Sequence, residues 1–200
     1  MKGSRFGKVI QEVLGPVMGP LDFTFEQKTF FRELPSDVLH LVGFEFDPRT
    51  TETFRVLCGA NTRRIPFYAS KHPSEMGFIG AQHLTPTGWD INSGHWPCSD
   101  EQEARTSLAK IGALIPTVVE PWFEKHQTLS SVAEHMDTQH PRQGLDKARL
   151  YLADGNLALA ESTLHAFIEV LEHPKPWNDP KELSNFKSQA QILLAELTVV

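Results

Sequence analysis

This sequence of 200 residues lacks the common signatures of catalysis and of phosphate binding. It contains no glycine-rich phosphate loop, no Gly-x-Ser-x-Gly nucleophile elbow and no His-Glu-x-x-His zinc motif. Only two cysteines are present, Cys58 and Cys98, which is too few for a disulfide framework. We interpret both as free thiols in a reducing cytoplasm, and we expect no cofactor.

Long apolar runs are also absent. Residues 1–8 do not form the apolar stretch of a signal peptide, and no segment reaches the length of a membrane span. We therefore expect no membrane association. The sequence is nevertheless 40% hydrophobic and contains 13 phenylalanines. A chain of this size buries roughly 70% of its unfolded surface, so a stable core needs neither a disulfide nor a metal ion.

Basic residues are scarce in the second half. Residues 1–99 contain ten basic and ten acidic side chains, whereas residues 100–200 contain nine basic and fifteen acidic ones. The whole net charge of -6 therefore arises after residue 99. An acidic half repels phosphate backbones and attracts a basic protein surface, so we do not expect a nucleic-acid partner. The alternative is that acidic helix faces only keep the protein in solution.

The first half alternates in the pattern of a β-sheet preceded by one helix. Strands are predicted at 21–27, 29–34, 38–47 and 54–60, because apolar residues recur there at every second position. The links are short, and parallel neighbours need long crossovers, so we predict antiparallel pairing. The predicted helix spans residues 5–17 and has one apolar face: Phe6, Val9, Ile10, Val13, Leu14 and Val17.

Two further features of this half concern single residues. His40 lies on the apolar face of the 38–47 strand, and we interpret it as a hydrogen-bonded core residue rather than a catalyst. Trp89 and Ile91 indicate one more strand after the irregular segment 62–88. That segment is rich in Pro, Gly, His and Ser, and a connection of this length is usually functional or mobile.

Helical periodicity replaces the strand pattern after residue 99. Ser99 and Asp100, followed by Gln102 and Glu103, predict a capped helix start. Further helices are predicted after Asp146, and residues 140–144 are interpreted as a linker. We therefore predict an α+β fold, with an antiparallel sheet of about four to six strands covered by helices. This domain is assigned to residues 1–140, and residues 141–200 to a C-terminal helical appendage packed on it.

The appendage contains one recognisable helical pattern. Tyr151, Gly155 and Ala160 are spaced as in a helix–turn–helix unit of the tetratricopeptide type. Gly155 permits the tight turn, and Ala160 permits a close approach of the two helices. Only one unit is present, whereas an array needs neighbours to bury each open face. We interpret it as a single packed hairpin, with a peptide-binding groove as the alternative.

The sharpest chemical candidate is Cys98 with His95. A thiol near a helix start is favoured as thiolate by the helix dipole, and a nearby histidine could act as its base. The acidic residues of the following helix start oppose thiolate formation. We therefore interpret Cys98 as an inert cysteine, and an enzyme of unknown reaction with Cys98 as nucleophile and His95 as base is the alternative hypothesis.

Several histidines could in principle bind a metal ion. His135, Asp137 and His140 lie close in sequence, and His83 and His95 precede them. Zinc sites usually show tighter paired spacings than these. We interpret the proximity as chance and predict no metal site.

Several motifs resemble an uncharacterised bacterial domain-of-unknown-function family. They are residues 6–16 (FGKVIQEVLGP), 21–23 (LDF), 29–32 (TFFR) and 54–59 (FRVLCG), and residues 89–91 and 121–123 are also similar. The resemblance covers about residues 6–136 and carries over no catalytic residue, because its motifs are structural. This chain departs from the family in the apolar strand at 40–44 (HLVGF). Such domains are sometimes encoded beside bacterial toxins, so the resemblance implies an immunity role.

We therefore predict a non-enzymatic cytoplasmic protein that binds a basic protein partner, and more specifically an immunity protein that neutralises a cognate bacterial toxin. Complementary charge steers such encounters and suppresses wrong partners. The predicted contact residues combine carboxylates with one aromatic anchor: Glu120, Trp122, Glu124, Glu134 and Asp137. The alternative is an ordinary solvated face over a buried Trp122.

Overall fold

A computed structural model describes residues 3–46, 52–64, 72, 78–90, 94–137, 141–173 and 179–198. The chain forms two compact units. Unit 1 comprises the described residues up to Arg63 and from residue 72 to Gln127. Unit 2 begins at Thr128 and also includes Arg64.

Unit 1 is built on one antiparallel sheet, which within the described ranges has seven strands. The strands are β1 (Thr24–Glu26), β2 (Thr29–Glu33), β3 (Val38–Phe46), β4 (Thr53–Thr62), β5 (Ile79–Thr85), β6 (Gly88–Asp90) and β7 (His95–Pro97). Strands β1 to β6 follow one another in chain order, and β7 pairs with the first residues of β4. The predicted α+β class and the antiparallel sheet are confirmed. The first strand is shorter than predicted because a 3-10 turn occupies Gly19–Leu21.

The two central strands, β3 and β4, pair along their whole length. Their register places Val42 opposite Cys58 and Phe46 opposite Phe54, so the predicted apolar faces point the same way. The helix α1 (Gly3–Met18) covers this inner face through Phe6, whose ring centroid lies 4.3 Å from that of Phe46 and 5.0 Å from that of Phe54. The alternation in the sequence therefore identified the correct face.

The outer face of the sheet carries a second, smaller apolar cluster. Leu39 and Leu41 are fully buried there, with Phe31 and Phe78 packed against them. The ring of Phe78 lies directly over two glycines. A Cβ atom would lie 2.7 Å from a Phe78 ring carbon at Gly43, and 2.9 Å from one at Gly59. Both strands therefore lack a side chain where this ring packs.

The remaining helices of unit 1 follow β7. Helix α2 (Glu101–Leu114) begins as predicted: Asp100 accepts a hydrogen bond from the Glu103 N–H at 2.8 Å, and Glu103 accepts one from the Ser99 N–H at 2.8 Å. A π-helical turn (Ile115–Val119) then leads into the short helix α3 (Glu120–Phe123). Pro116 has no N–H to donate, which favours the wider turn at this point.

Every element of secondary structure that the structure describes in unit 2 is a helix. Its helices are α4 (Leu129–Ala133), α5 (Pro141–Ala153), α6 (Leu157–Glu172) and α7 (Pro180–Thr198). Helices α5 and α6 form the predicted hairpin, in which Gly155 has a φ of 76° and Tyr151 and Ala160 are buried. Helices α4, α6 and α7 all pack against α5. The faces of α5 are thus covered within the unit.

The two units meet in sequence at Gln127 and Thr128, earlier than the predicted boundary at residue 140. The reason is α4, whose Leu129 and Val132 are buried within the unit that also contains α5. Residues 141–144, interpreted as part of a linker, form the first turn of α5.

Parts of the predictions for residues 47–51, Ile91 and His140 lie outside the described residues. Among the helices that the structure describes, none has both the length and the apolar character needed to cross a membrane.

Candidate functional site

The predicted contact residues of unit 1 lie on and just after α3. The π-helical turn positions this helix, since the Glu120 N–H donates to the Ile115 carbonyl five residues earlier. Trp122 is only 8% exposed. Its ring stacks on that of His126 with centroids 3.7 Å apart and lies 6.1 Å from the ring of Trp89. Trp122 therefore packs inside unit 1 in this conformation.

Glu120 is bound to the sheet rather than presented to solvent. Its Oε2 accepts a hydrogen bond from Arg32 Nη1 at 3.1 Å, and both side chains are 17% exposed. The same Nη1 donates to the Leu21 carbonyl at 3.0 Å, and Arg32 Nη2 lies 3.0 Å from His40 Nδ1. The Arg32 guanidinium also lies 4.6 Å from the ring of Phe23. This arginine joins β2, β3 and α3.

The hydrogen bonds of His40 fix its tautomer. His40 Nε2 lies 2.7 Å from the His126 carbonyl, so Nε2 donates and Nδ1 accepts from Arg32. Its ring also stacks on Phe123 with centroids 4.2 Å apart. Burial lowers the pKa of His40 to about 4, and the nearby Arg32 charge acts in the same direction. His40 is neutral at pH 7, and its interpretation as a hydrogen-bonded core residue is confirmed.

Arg32, His40, Glu120 and His126 together form a polar network beneath α3, which we call the Arg32 network. None of the sequence motifs discussed above predicts this network, although one signal for it is present. Arg32 shares the inward face of β2 with Phe30, and the register places it opposite His40. An arginine at an inward position of a strand requires a polar partner.

The other predicted carboxylates are exposed. Glu124 lies at the end of α3 in unit 1, and Glu134 and Asp137 follow α4 in unit 2. The Asp137 N–H donates a hydrogen bond to Gln143 Oε1 at 2.9 Å. Burial raises the pKa of Tyr151, and the Glu134 charge adds to this effect. The five predicted contact residues are thus divided between the two units.

Cys98 lies at the end of β7 and is fully buried. Its N–H donates to the Glu52 carbonyl at 2.7 Å. Burial raises the pKa of the Cys98 thiol to about 11, and the Glu103 charge acts in the same direction. His95 is exposed whereas Cys98 is buried, because successive residues from His95 to Cys98 are exposed and buried in turn. This arrangement disfavours Cys98 as a nucleophile with His95 as its base.

Metal binding has no geometric support in the part of the chain that is described. No group of three or more His, Cys, Asp or Glu side chains within it is placed to hold a metal ion. His135 and Asp137 fall in this part, but His140 does not.

No protein-family model, curated protein or solved structure is detectably similar to this chain.

Proposed function

We propose that this chain is a non-enzymatic, cytoplasmic protein-binding protein whose partner is basic. In its most specific form the proposal is an immunity protein that neutralises a cognate bacterial toxin. The immunity role rests on the resemblance of residues 6–136 to a bacterial family whose members are sometimes encoded beside toxins.

The observation that carries the proposal is the segregation of charge. Residues 1–99 are neutral overall, whereas residues 100–200 have an excess of six acidic side chains. Within that half, Glu124, Glu134 and Asp137 are exposed. An excess of exposed carboxylates accelerates encounters with a basic protein and opposes binding to nucleic acid.

The chemistry of unit 1 is consistent with a binding role. The ionisable groups of the Arg32 network bind one another: Arg32 donates to Glu120 and His40, and His40 donates to the His126 carbonyl. The two cysteines are free and buried, which agrees with a reducing compartment.

Co-expression with the product of the adjacent gene tests the proposal. We expect a complex in a pull-down and rescue of growth when that product is toxic. The triple variant E124Q/E134Q/D137N removes three exposed negative charges while it keeps side-chain size, and we expect it to slow association. A neighbour that is not toxic, or toxicity that persists with no complex recovered, would show the immunity proposal to be wrong.

A further inference from the structure

We propose that the exposed face of α6 is the surface of unit 2 that docks the basic partner. This inference rests on the proposed function and specifies where the partner binds. The face consists of residues spaced three and four apart along the helix: Ala158, Glu161, Ser162, His165, Ala166 and Glu169. At 1.5 Å per residue, this helix offers a ridge about 24 Å long.

The start of α6 exposes apolar surface where its own stability favours polar residues. Leu157 and Leu159 are 44% and 41% exposed, and they are two of the three exposed large hydrophobic residues in the described chain. They occupy the first and third helical positions after the Asn156 cap, about 200° apart around the helix axis, so they flank the start of the face on opposite sides. Acidic or amide side chains stabilise a helix at these positions.

The C-terminal end of α6 carries negative charge, whereas a helix is stabilised by positive charge at this end. Its last turn contains Glu169 and Glu172, and the helix has neither an acidic residue in its first turn nor a basic one in its last. Negative charge at a helix C-terminus is unfavourable, and two glutamates three residues apart repel each other. Glu172 is compensated by Lys187 at 3.0 Å, whereas Glu169 has no ion pair among the described residues.

Both ends of α6 therefore carry side chains that the isolated helix does not favour. Residues kept at a cost to stability are typical of functional surfaces. This combination of exposed apolar and acidic side chains also specifies the chemistry of the protein that binds here. The partner should therefore contact α6 from both sides of its first turn, with apolar side chains against Leu157 and Leu159 and cations against Glu161 and Glu169. A basic groove with apolar walls at one end meets this requirement.

The test uses two variants that should stabilise the helix while they weaken binding. E169K places a cation near the helix C-terminus, and L159Q removes apolar surface and creates a capping box with Asn156. Each has a matched control on α7: E196K makes the same charge change near the end of that helix, and I192Q removes an exposed apolar side chain, since Ile192 is 55% exposed. Binding of the full chain to the purified product of the adjacent gene is measured by calorimetry.

We expect E169K and L159Q to melt at or above the wild-type temperature and to bind about tenfold more weakly, whereas both controls stay within about twofold. Equal weakening by a variant and its control would overturn the docking face, while the recovered complex would leave the proposed function standing. A lower melting temperature for E169K would contradict the argument from the helix ends. If the neighbour binds no form of the chain, the proposed function and this inference are both wrong.

Discussion

At the scale of single residues, the Arg32 network separates Glu120 from the other predicted carboxylates, because Glu120 binds Arg32 whereas the others are exposed. Arg32 binds three groups on three segments: the Glu120 carboxylate, the Leu21 carbonyl and His40 Nδ1. Hydrogen bonds to charged groups contribute roughly 1.5–3 kcal/mol each, and a buried charge left without its partner is costly. Glu120 therefore contributes to the stability of unit 1, whereas Glu124, four residues later, is exposed.

The substitution E120Q should lower the free energy of unfolding by about 1–2 kcal/mol, because Arg32 keeps its charge and loses its counter-ion. E124Q makes the same chemical change at an exposed position and should alter stability by less than about 0.5 kcal/mol. Urea unfolding followed by tryptophan fluorescence measures both. Equal effects of the two variants would mean that the Arg32–Glu120 pair does not stabilise the fold.

His40 should make stability depend on pH. Its folded pKa of about 4 lies below the ordinary histidine value of 6.5, so the unfolded chain binds a proton first as the pH falls. This contribution to stability is complete above pH 6.5 and declines as the pH falls towards 4. Between pH 7 and pH 5 we expect a loss of about 2 kcal/mol. Urea unfolding of wild type and H40Q at both pH values isolates the effect, and an equal loss in H40Q would refute it.

At the scale of elements, the sequence predicted what depends on local periodicity. The faces of β3 and β4 followed from alternation at residues such as Val42 and Cys58, and the start of α2 followed from its cap. The Arg32–Glu120 pair could not be predicted, because 88 residues separate its members and only the tertiary fold brings them together. Strand β5 lies in a segment with no clear alternation. The short helix α4 joins unit 2 through packing that no local pattern reveals.

The packing of Phe78 on two strands allows a ranking of glycine substitutions. At Gly59 a new Cβ would meet Phe78 Cδ1 at 2.9 Å, Phe78 Cβ at 3.1 Å and the Ile79 carbonyl at 3.3 Å. At Gly43 the closest atom is the ring tip, Phe78 Cζ, at 2.7 Å, and a ring tip moves more easily than a backbone carbonyl. We expect G59A to cost about 2–3 kcal/mol and G43A about 1 kcal/mol, measured by thermal unfolding. A larger cost for G43A would contradict this packing.

At the scale of the whole molecule, the start of the acidic part of the sequence does not coincide with the boundary between the two compact units. The acidic excess begins at residue 100, whereas the compact units divide at Gln127 and Thr128. Residues 128–200 contain ten acidic and six basic side chains, and Arg64 adds a seventh basic one, so unit 2 accounts for half of the net charge of -6. Its core combines residues of three helices, including Leu145, Phe167 and Ala190. A helical unit of this size has a marginal core and depends on each of its helices.

This dependence predicts how fragments of the chain behave. Leu129, Val132 and Met136 are buried, the Ser130 N–H donates to Asp154 Oδ2 at 3.0 Å, and α4 packs on α5. Burying each such apolar side chain contributes roughly 1.5–3 kcal/mol, which is a large part of the stability of a small domain. We expect fragment 128–200 to be helical and to unfold cooperatively, and fragment 141–200, which begins at the boundary predicted from sequence, to be largely unfolded at 25 °C. Circular dichroism with thermal unfolding measures both, and equal stability of the two fragments would show that α4 does not belong to the folding unit.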